Sequence, residues 1–231
     1  MYANFFKRLI DLVLSLMALT ILSPVLLILI IVGAIAMGGN PFFTQLRPGK
    51  IDKKTGKEKI FKLIKFRTMS NKKDKDGNLL PDDERLNKYG RFLRSTSLDE
   101  LPELLNIFVG QMSIVGPRPQ LVRDMVFMSE DTRRRHSVRP GLTGLAQCNG
   151  RNAMSWEKKF EYDLKYRDRI TFWGDVAIIF KTVGKVFARD GITEEGEATA
   201  TDLGDYLLSK GKVSEEEYEA LQNDAKELMK V

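Results

Sequence analysis

The sequence predicts a mixed α/β fold, mostly helical, with an N-terminal segment embedded in a membrane and a small sheet component in the rest. Three patterns carry this reading. Residues 12–37 form an apolar run interrupted only by Ser15, Thr20, Ser23, Pro24 and Gly33. Residues 60–69 alternate apolar and basic side chains well enough for a strand. Apolar residues then recur at helical spacing in several stretches, most clearly Leu101, Leu104, Leu105 and Phe108.

The 26-residue run would reach ~39 Å as a straight helix, against ~30 Å of bilayer hydrocarbon. It is too long for a signal peptide. Composition alone favours a straight spanning helix in which Pro24 makes a tolerated kink. Lys7 and Arg8 precede the run and Lys50, Lys53 and Lys54 follow it, so positive charge flanks both ends and sets no orientation. Residues 38–49 read as an interfacial turn with Phe42 and Phe43 at headgroup level. In the strand that follows, Lys62, Lys65 and Arg67 are expected as neighbours, forming a solvated edge or a phosphate cradle. Residues 70–83 are turn-rich and polar, a surface loop, and amphipathic order resumes over 86–93.

The central stretch is 94–106, RSTSLDELPELLN. Ser97 and Glu100 match a capping box, but that register places Pro102 at a helical position where its ring clashes with the Leu98 carbonyl. Starting the helix at Asp99 puts Pro102 in the first turn, so Asp99 is expected at or near the N-cap, ionised beside the helix dipole. Adjacent carboxylates there suit ordinary capping, or a nucleophile with an acidic neighbour and a divalent metal. Gly110 ends the helix. Arg118, between Pro117 and Pro119, is a guanidinium on a stiff loop, either a surface arginine on a rigid turn or a positioned clamp for phosphate or a nucleotide. Residues 123–135 read as an amphipathic helix whose Arg133, Arg134 and Arg135 are solvated or lie on a membrane surface. His136 reads as structural or solvated rather than as a catalytic base. Gly141, Gly144 and Gly150 permit close backbone approach, to a ligand or simply within a loop. Ser155 caps a helix to residue 169, and 172–187 is a further amphipathic helix.

Charge is uneven. Residues 193–231 hold 11 acidic and 4 basic residues, net −7; residues 1–192 hold 33 basic and 20 acidic, net +13. A basic body implies an acidic partner: nucleic acid, anionic lipid or a phosphorylated substrate. No nucleic-acid recognition module is present. One cysteine, Cys148, and one histidine exclude a disulfide framework and a Cys/His zinc site within the chain, and fit a reducing compartment. The tail, with Ser214 and Glu217 as a capping box, reads as a separate docking or oligomerisation element, compatible with a homodimer, or as a solubilising extension.

Together, Lys7-Arg8 with Ser23-Pro24, KFRTM (65–69), GRFLR (90–94), SLDELP (97–102), QMSIVGPRP (111–119), RPGLTG (139–144) and GRN (150–152) resemble the bacterial sugar transferase family, the monotopic phosphoglycosyl transferases. The likeness spans about residues 5–190 in the family's order and is closest to the small single-domain form. It implies three parts: a re-entrant membrane helix over 1–38 with Ser23-Pro24 at its break, a cytoplasmic catalytic domain over 39–192 with interfacial helices, and the acidic helical tail 193–231. That overrides the spanning preference. It implies transfer of a phospho-sugar from a UDP-sugar to polyprenyl (undecaprenyl) phosphate on the cytoplasmic face of the bacterial inner membrane, with UMP released. Asp99 would be the nucleophile and a Mg²⁺ ligand, and Glu100 would assist by hydrogen bonding or proton handling. Arg94, Arg118 and Arg151, with Lys65, Arg67, Pro117 and Pro119, would form the phosphate and nucleotide site. The competing readings are a membrane-tethered binding or scaffold protein, in which the acidic pair only caps a helix, and a metal-dependent glycosyltransferase that releases UDP.

Overall fold

A computed structural model describes residues 2–150, 154–188 and 201–230. A π-helical turn, Tyr2–Phe6, leads into α1, Lys7–Ile21, and α2, Ser23–Met37, which meet with a bend of 63°. Pro24 has no N–H for the Thr20 carbonyl, and Ser23 Oγ donates to that oxygen at 2.8 Å instead. Among the described residues no single helix is long and apolar enough to cross a membrane. Each arm has 15 residues, or ~22 Å at the helical rise, short of a ~30 Å core.

Lys7 and Arg8 are anchors rather than free flanking charges. Lys7 pairs with Asp175 at 2.6 Å, and the Arg8 guanidinium donates to the Ile107 and Phe108 carbonyls at 2.7 Å each. Asp11, buried inside α1, accepts from the Ile114 N–H at 3.0 Å. The helix pair is therefore bonded to the body at its N-terminal end. At its other end Asn87 Nδ2 donates to the Ala36 carbonyl and the Tyr89 hydroxyl to that of Leu29.

The strands β1, Phe42–Ile51, and β2, Glu58–Phe66, form an antiparallel pair. Most of the expected interfacial turn is thus strand. Pro48 is accommodated where the register shifts, between Pro48 and Ile51. β2 ends before Arg67, and strand alternation sends Lys62 to solvent and Lys65 inward, so the expected basic trio is split.

Next come α3, Asp82–Arg85, and α4, Lys88–Thr96, capped by Asn87, whose side chain accepts from the Gly90 N–H at 2.8 Å. A 3-10 turn, Leu98–Glu100, precedes α5, Glu103–Phe108. β3, Ser113–Val115, pairs in parallel with β4, Gly141–Thr143. Between them the expected long helix is broken into α6, Val122–Met125, and α7, Glu130–Arg133, where Ser129 caps a new start. Ser155 caps α8, Trp156–Asp168, and α9, Phe172–Ala188, follows. The tail folds as α10, Leu203–Ser209, and α11, Glu215–Leu228, capped by Ser214.

Phe61, Leu63, Leu104, Ile107 and Met112 make the central core, and Ala18, Leu19 and Leu22 pack on it, so the helix bend rests against the body of the protein. The tail does not stand apart: Leu203 joins Phe127, Met128 and Trp156, and Ala225 joins Val122 and Met125. The arginine run is not a membrane surface. Arg133 binds Glu58, Arg135 is buried against Asp163, and Arg134 alone is exposed, paired with Asp131.

Candidate active site

Asp99 is not an N-cap. Pro102 occupies that position before α5, and Asp99 lies in the 3-10 turn ahead of it. The Ser97 side chain makes no capping bond; the residue takes φ 55° as the C-cap of α4. A left-handed serine is strained by roughly 1 kcal/mol. It reverses the chain between α4, which carries Arg94, and the turn that carries Asp99. Gly90 makes this possible. A Cβ there would fall 1.9 Å from the Thr68 carbonyl oxygen, so α4 packs directly on the backbone that leaves β2. One turn later Arg94 Nε donates to Thr68 Oγ1 at 3.1 Å.

Glu100 is held by two cations, Lys65 Nζ at 2.7 Å and Arg118 at 3.0 Å. Lys65 also reaches Glu103 at 3.1 Å. These cations keep the Glu100 carboxyl far below the usual carboxylate range despite burial. Burial, and then the Glu100 charge, move Asp99 the other way, to about 6. Burial raises Glu103 as well. Among the described residues Asp99 makes no side-chain hydrogen bond or ion pair, while Lys65, Arg118 and Arg94 lie within electrostatic reach. Two neighbouring carboxylates are thereby given different jobs. One is committed to an ion pair; the other is unengaged, more basic, and still ionised at pH 7.

Arg118 projects from a loop fixed at three successive carbonyls. Pro117 O accepts from the Gly141 N–H at 2.9 Å, Arg118 O from buried Arg135 at 2.6 Å, and Pro119 O from Arg47 at 2.9 Å. Pro117 and Pro119 are buried and do not line the cavity; they aim the exposed arginine between them. Gly141 approaches backbone rather than ligand, since a Cβ on it would sit 2.0 Å from the Gly116 nitrogen. His136 is structural: buried, hydrogen-bonded to Glu58 and beside Arg135, and lowered to about 4 by desolvation.

Asp99, Glu100, Arg94, Arg118, Lys65 and Arg67 all line one cavity of about 1380 Å³. Its lining also includes Ala18 and Leu22 at the helix bend, and Trp156, Thr201 and Asp202. Arg151 lies outside the described residues. Two participants were missed in the sequence. Glu103 stands four residues after Asp99 and three after Glu100, a spacing that puts all three near one helical face. Arg47 was hidden in a segment read as a turn, and its buried Nε has no hydrogen-bond partner among the described residues. Among the described residues no group of three or more His, Cys, Asp or Glu could hold a metal. A single unengaged carboxylate in a cavity lined by Lys65, Arg94 and Arg118 nevertheless suits Mg²⁺, which commonly takes one or two carboxylates together with substrate phosphates.

The bacterial sugar transferase family matches residues 2–189 of this chain. The chain belongs to that family. An uncharacterised sugar transferase, EpsL, of Bacillus subtilis is 47% identical over 194 residues, covering 84% of this chain and 93% of that one. A UDP-glucose:undecaprenyl-phosphate glucose-1-phosphate transferase of Klebsiella pneumoniae is 41% identical over 79% of this chain and 40% of its own. An exopolysaccharide production protein, ExoY, of Rhizobium meliloti is 34% identical over 78% of this chain and 84% of its own. The chain thus spans about two fifths of the longer relative. Family membership makes it a sugar transferase rather than a non-catalytic scaffold.

Proposed function

We propose that this chain transfers a sugar 1-phosphate from a UDP-sugar to undecaprenyl phosphate, releasing UMP, through a covalent phospho-sugar on Asp99. The observation that carries this reading is the free Asp99 carboxylate beside a Glu100 neutralised by Lys65 and Arg118. An Asp99 oxygen attacks the sugar-side phosphorus, the phosphorus–oxygen bond to UMP breaks, and UMP leaves with the bridging oxygen. An oxygen of the lipid phosphate then attacks the same phosphorus, and the Asp99 carboxylate departs. The product is an undecaprenyl diphosphate sugar.

Attack by one anion on another needs the developing charge to be neutralised and the groups positioned. Arg118 is aimed by its clamped loop, and Arg94 approaches from α4. Glu100, held ionised, orients Lys65 and Arg118, a role that fits its ion pairs better than proton handling near neutral pH. Asp99 would hold Mg²⁺ with the donor diphosphate, and the ion would neutralise phosphoryl oxygens. The bent helix pair, bonded to the body at both ends, supports a re-entrant insertion from the cytoplasmic face of the inner membrane, with the lipid phosphate arriving beside Ala18 and Leu22. On this reading residues 1–38 form the membrane element and 39–192 the catalytic domain.

The test is nucleotide identification with a panel of UDP-sugars, undecaprenyl phosphate and Mg²⁺. UMP, with an intact-mass increase of one phospho-sugar in the absence of lipid, is the expected result. UDP as product would instead indicate sugar transfer without phosphate.

A further inference from the structure

The family match ends at residue 189, yet Thr201 and Asp202 line the same cavity as Asp99. Asp202 occupies the N-cap position of α10 but makes no capping bond. N-cap aspartates ordinarily accept from the first-turn N–H groups. Here the carboxylate turns outward and meets Arg123 at 2.6 Å, with its side chain 18% exposed. The neighbouring backbone is fixed to the body on both sides: Trp156 Nε1 donates to the Thr201 carbonyl at 3.2 Å, and the Leu203 N–H donates to Asp124 Oδ1 at 2.9 Å. Asp124 Oδ2 accepts from the Leu121 N–H, at the end of the loop that carries Arg118. One buried carboxylate therefore ties the tail to the arginine loop. Arg47, with its unpartnered Nε, is within electrostatic reach of Glu100 and of Asp202.

We infer that the C-terminal helices supply a wall of the donor end of this cavity, with Asp202 and its Arg123 partner recognising the hydroxyl- and N–H-bearing rings of the nucleoside diphosphate sugar. This rests on the proposed transfer reaction. The lining residues differ in polarity. Ala18 and Leu22, which belong to the bent helices, are apolar and suit a lipid. Gln120, Arg123 and Asp202 line the same cavity and offer acceptors and donors suited to a polar ring. Asp202 is a specificity-determining residue here, not a catalytic one.

The experiment uses the full chain in lipid nanodiscs, wild type and Asp202→Asn and Asp202→Ala, with thermal unfolding checked for each. Steady-state UMP release is measured over a panel of UDP-sugars, and UDP binding by calorimetry. The expected result is a rise in KM for the donor of about 10- to 150-fold, the span that loss of a hydrogen bond to a charged group produces, with kcat and the KM for undecaprenyl phosphate within twofold. If the nucleoside is the group touched, UDP binding weakens and all UDP-sugars suffer alike. If it is the sugar, UDP binding is unchanged and the ranking of UDP-sugars shifts. An unchanged donor KM, or a uniform loss of activity that tracks loss of stability in both variants, overturns the inference and leaves the transfer reaction standing. Should the wild type release no UMP, the reaction itself fails, and UDP calorimetry still decides whether Asp202 belongs to a nucleotide site.

Discussion

Lys65 Nζ stands 2.7 Å from Glu100 Oε1, and that contact determines which of two adjacent carboxylates is free to react. With Glu100 committed, Asp99 carries the unshared charge. The same lysine also serves Glu103, so its ammonium, with Arg118, balances two acidic groups in a largely enclosed space.

Asp99→Asn is expected to lower UMP release by about 10³-fold or more and to abolish the phospho-sugar adduct seen by intact mass. It should also stabilise the protein. The folded-state value of about 6 lies above the ordinary aspartate value, so the folded chain holds a proton longer than the unfolded chain. Stability from this group is therefore full at low pH and declines as pH rises toward 6. Above that, in magnesium-free buffer, the asparagine variant should be more stable by about 1–2 kcal/mol after allowance for solvent screening. Urea unfolding at pH 7.5 measures the difference.

Lys65→Met should leave Glu100 and Glu103 without their shared counter-charge. Removing one partner of a buried ion pair costs about 3 kcal/mol or more. Adding Glu103→Gln to that variant should recover part of the loss, and a double-mutant cycle of unfolding free energies gives the coupling. Strict additivity of the two changes would contradict a shared lysine.

His136 gives acid sensitivity of known sign. Desolvation lowers it to about 4, whereas an unfolded imidazole titrates near 6.5. Between these values the unfolded chain takes a proton that the folded chain refuses. The contribution of the neutral ring is full above about 6.5 and drains as pH falls toward 4. His136→Gln should therefore lose about 2 kcal/mol less than wild type between pH 7.5 and pH 5, read from denaturant midpoints at each pH.

The bend at Leu22 can be challenged by Ser23→Ala with Pro24→Leu, which returns an N–H to the Thr20 carbonyl and removes the competing hydroxyl. In inverted membrane vesicles a protease-sensitive N-terminal tag should report the same side as the catalytic domain in wild type. In the double variant a fraction should move to the opposite side, limited by the Lys7 and Arg8 anchors. A wild-type tag on the opposite side would remove the re-entrant reading.

Local patterns were the legible part of the sequence. The Ser155 and Ser214 caps, the helix after residue 172, the strand around 60–66 and the end of α5 before Gly110 all follow from short-range chemistry. Asp99, Glu100, Lys65, Arg94 and Arg118, which the motifs single out, line one cavity. What stayed hidden depends on partners distant in the chain. Lys7 and Arg8 look like membrane-flanking charges until Asp175 and two carbonyls of α5 are seen to receive them. Arg133 and Arg135 look like a solvated run until Glu58 and Asp163 appear beneath them. The start of α5 was misjudged because Ser97 spends its backbone on a left-handed turn, which no spacing rule announces. The tail looked detachable by charge, whereas a few buried apolar contacts and Asp124 hold it to the body.

Arg8 closes the last turn of α5, and Asp11 holds the Ile114 N–H in the strand that leads to the Arg118 loop. The apolar N-terminus is therefore not a removable handle. A version trimmed of its first 38 residues for easier purification would lose the guanidinium that closes α5 and leave the Ile114 amide without its carboxylate partner. Detergent or nanodisc extraction of the intact chain is the form in which its chemistry can be studied.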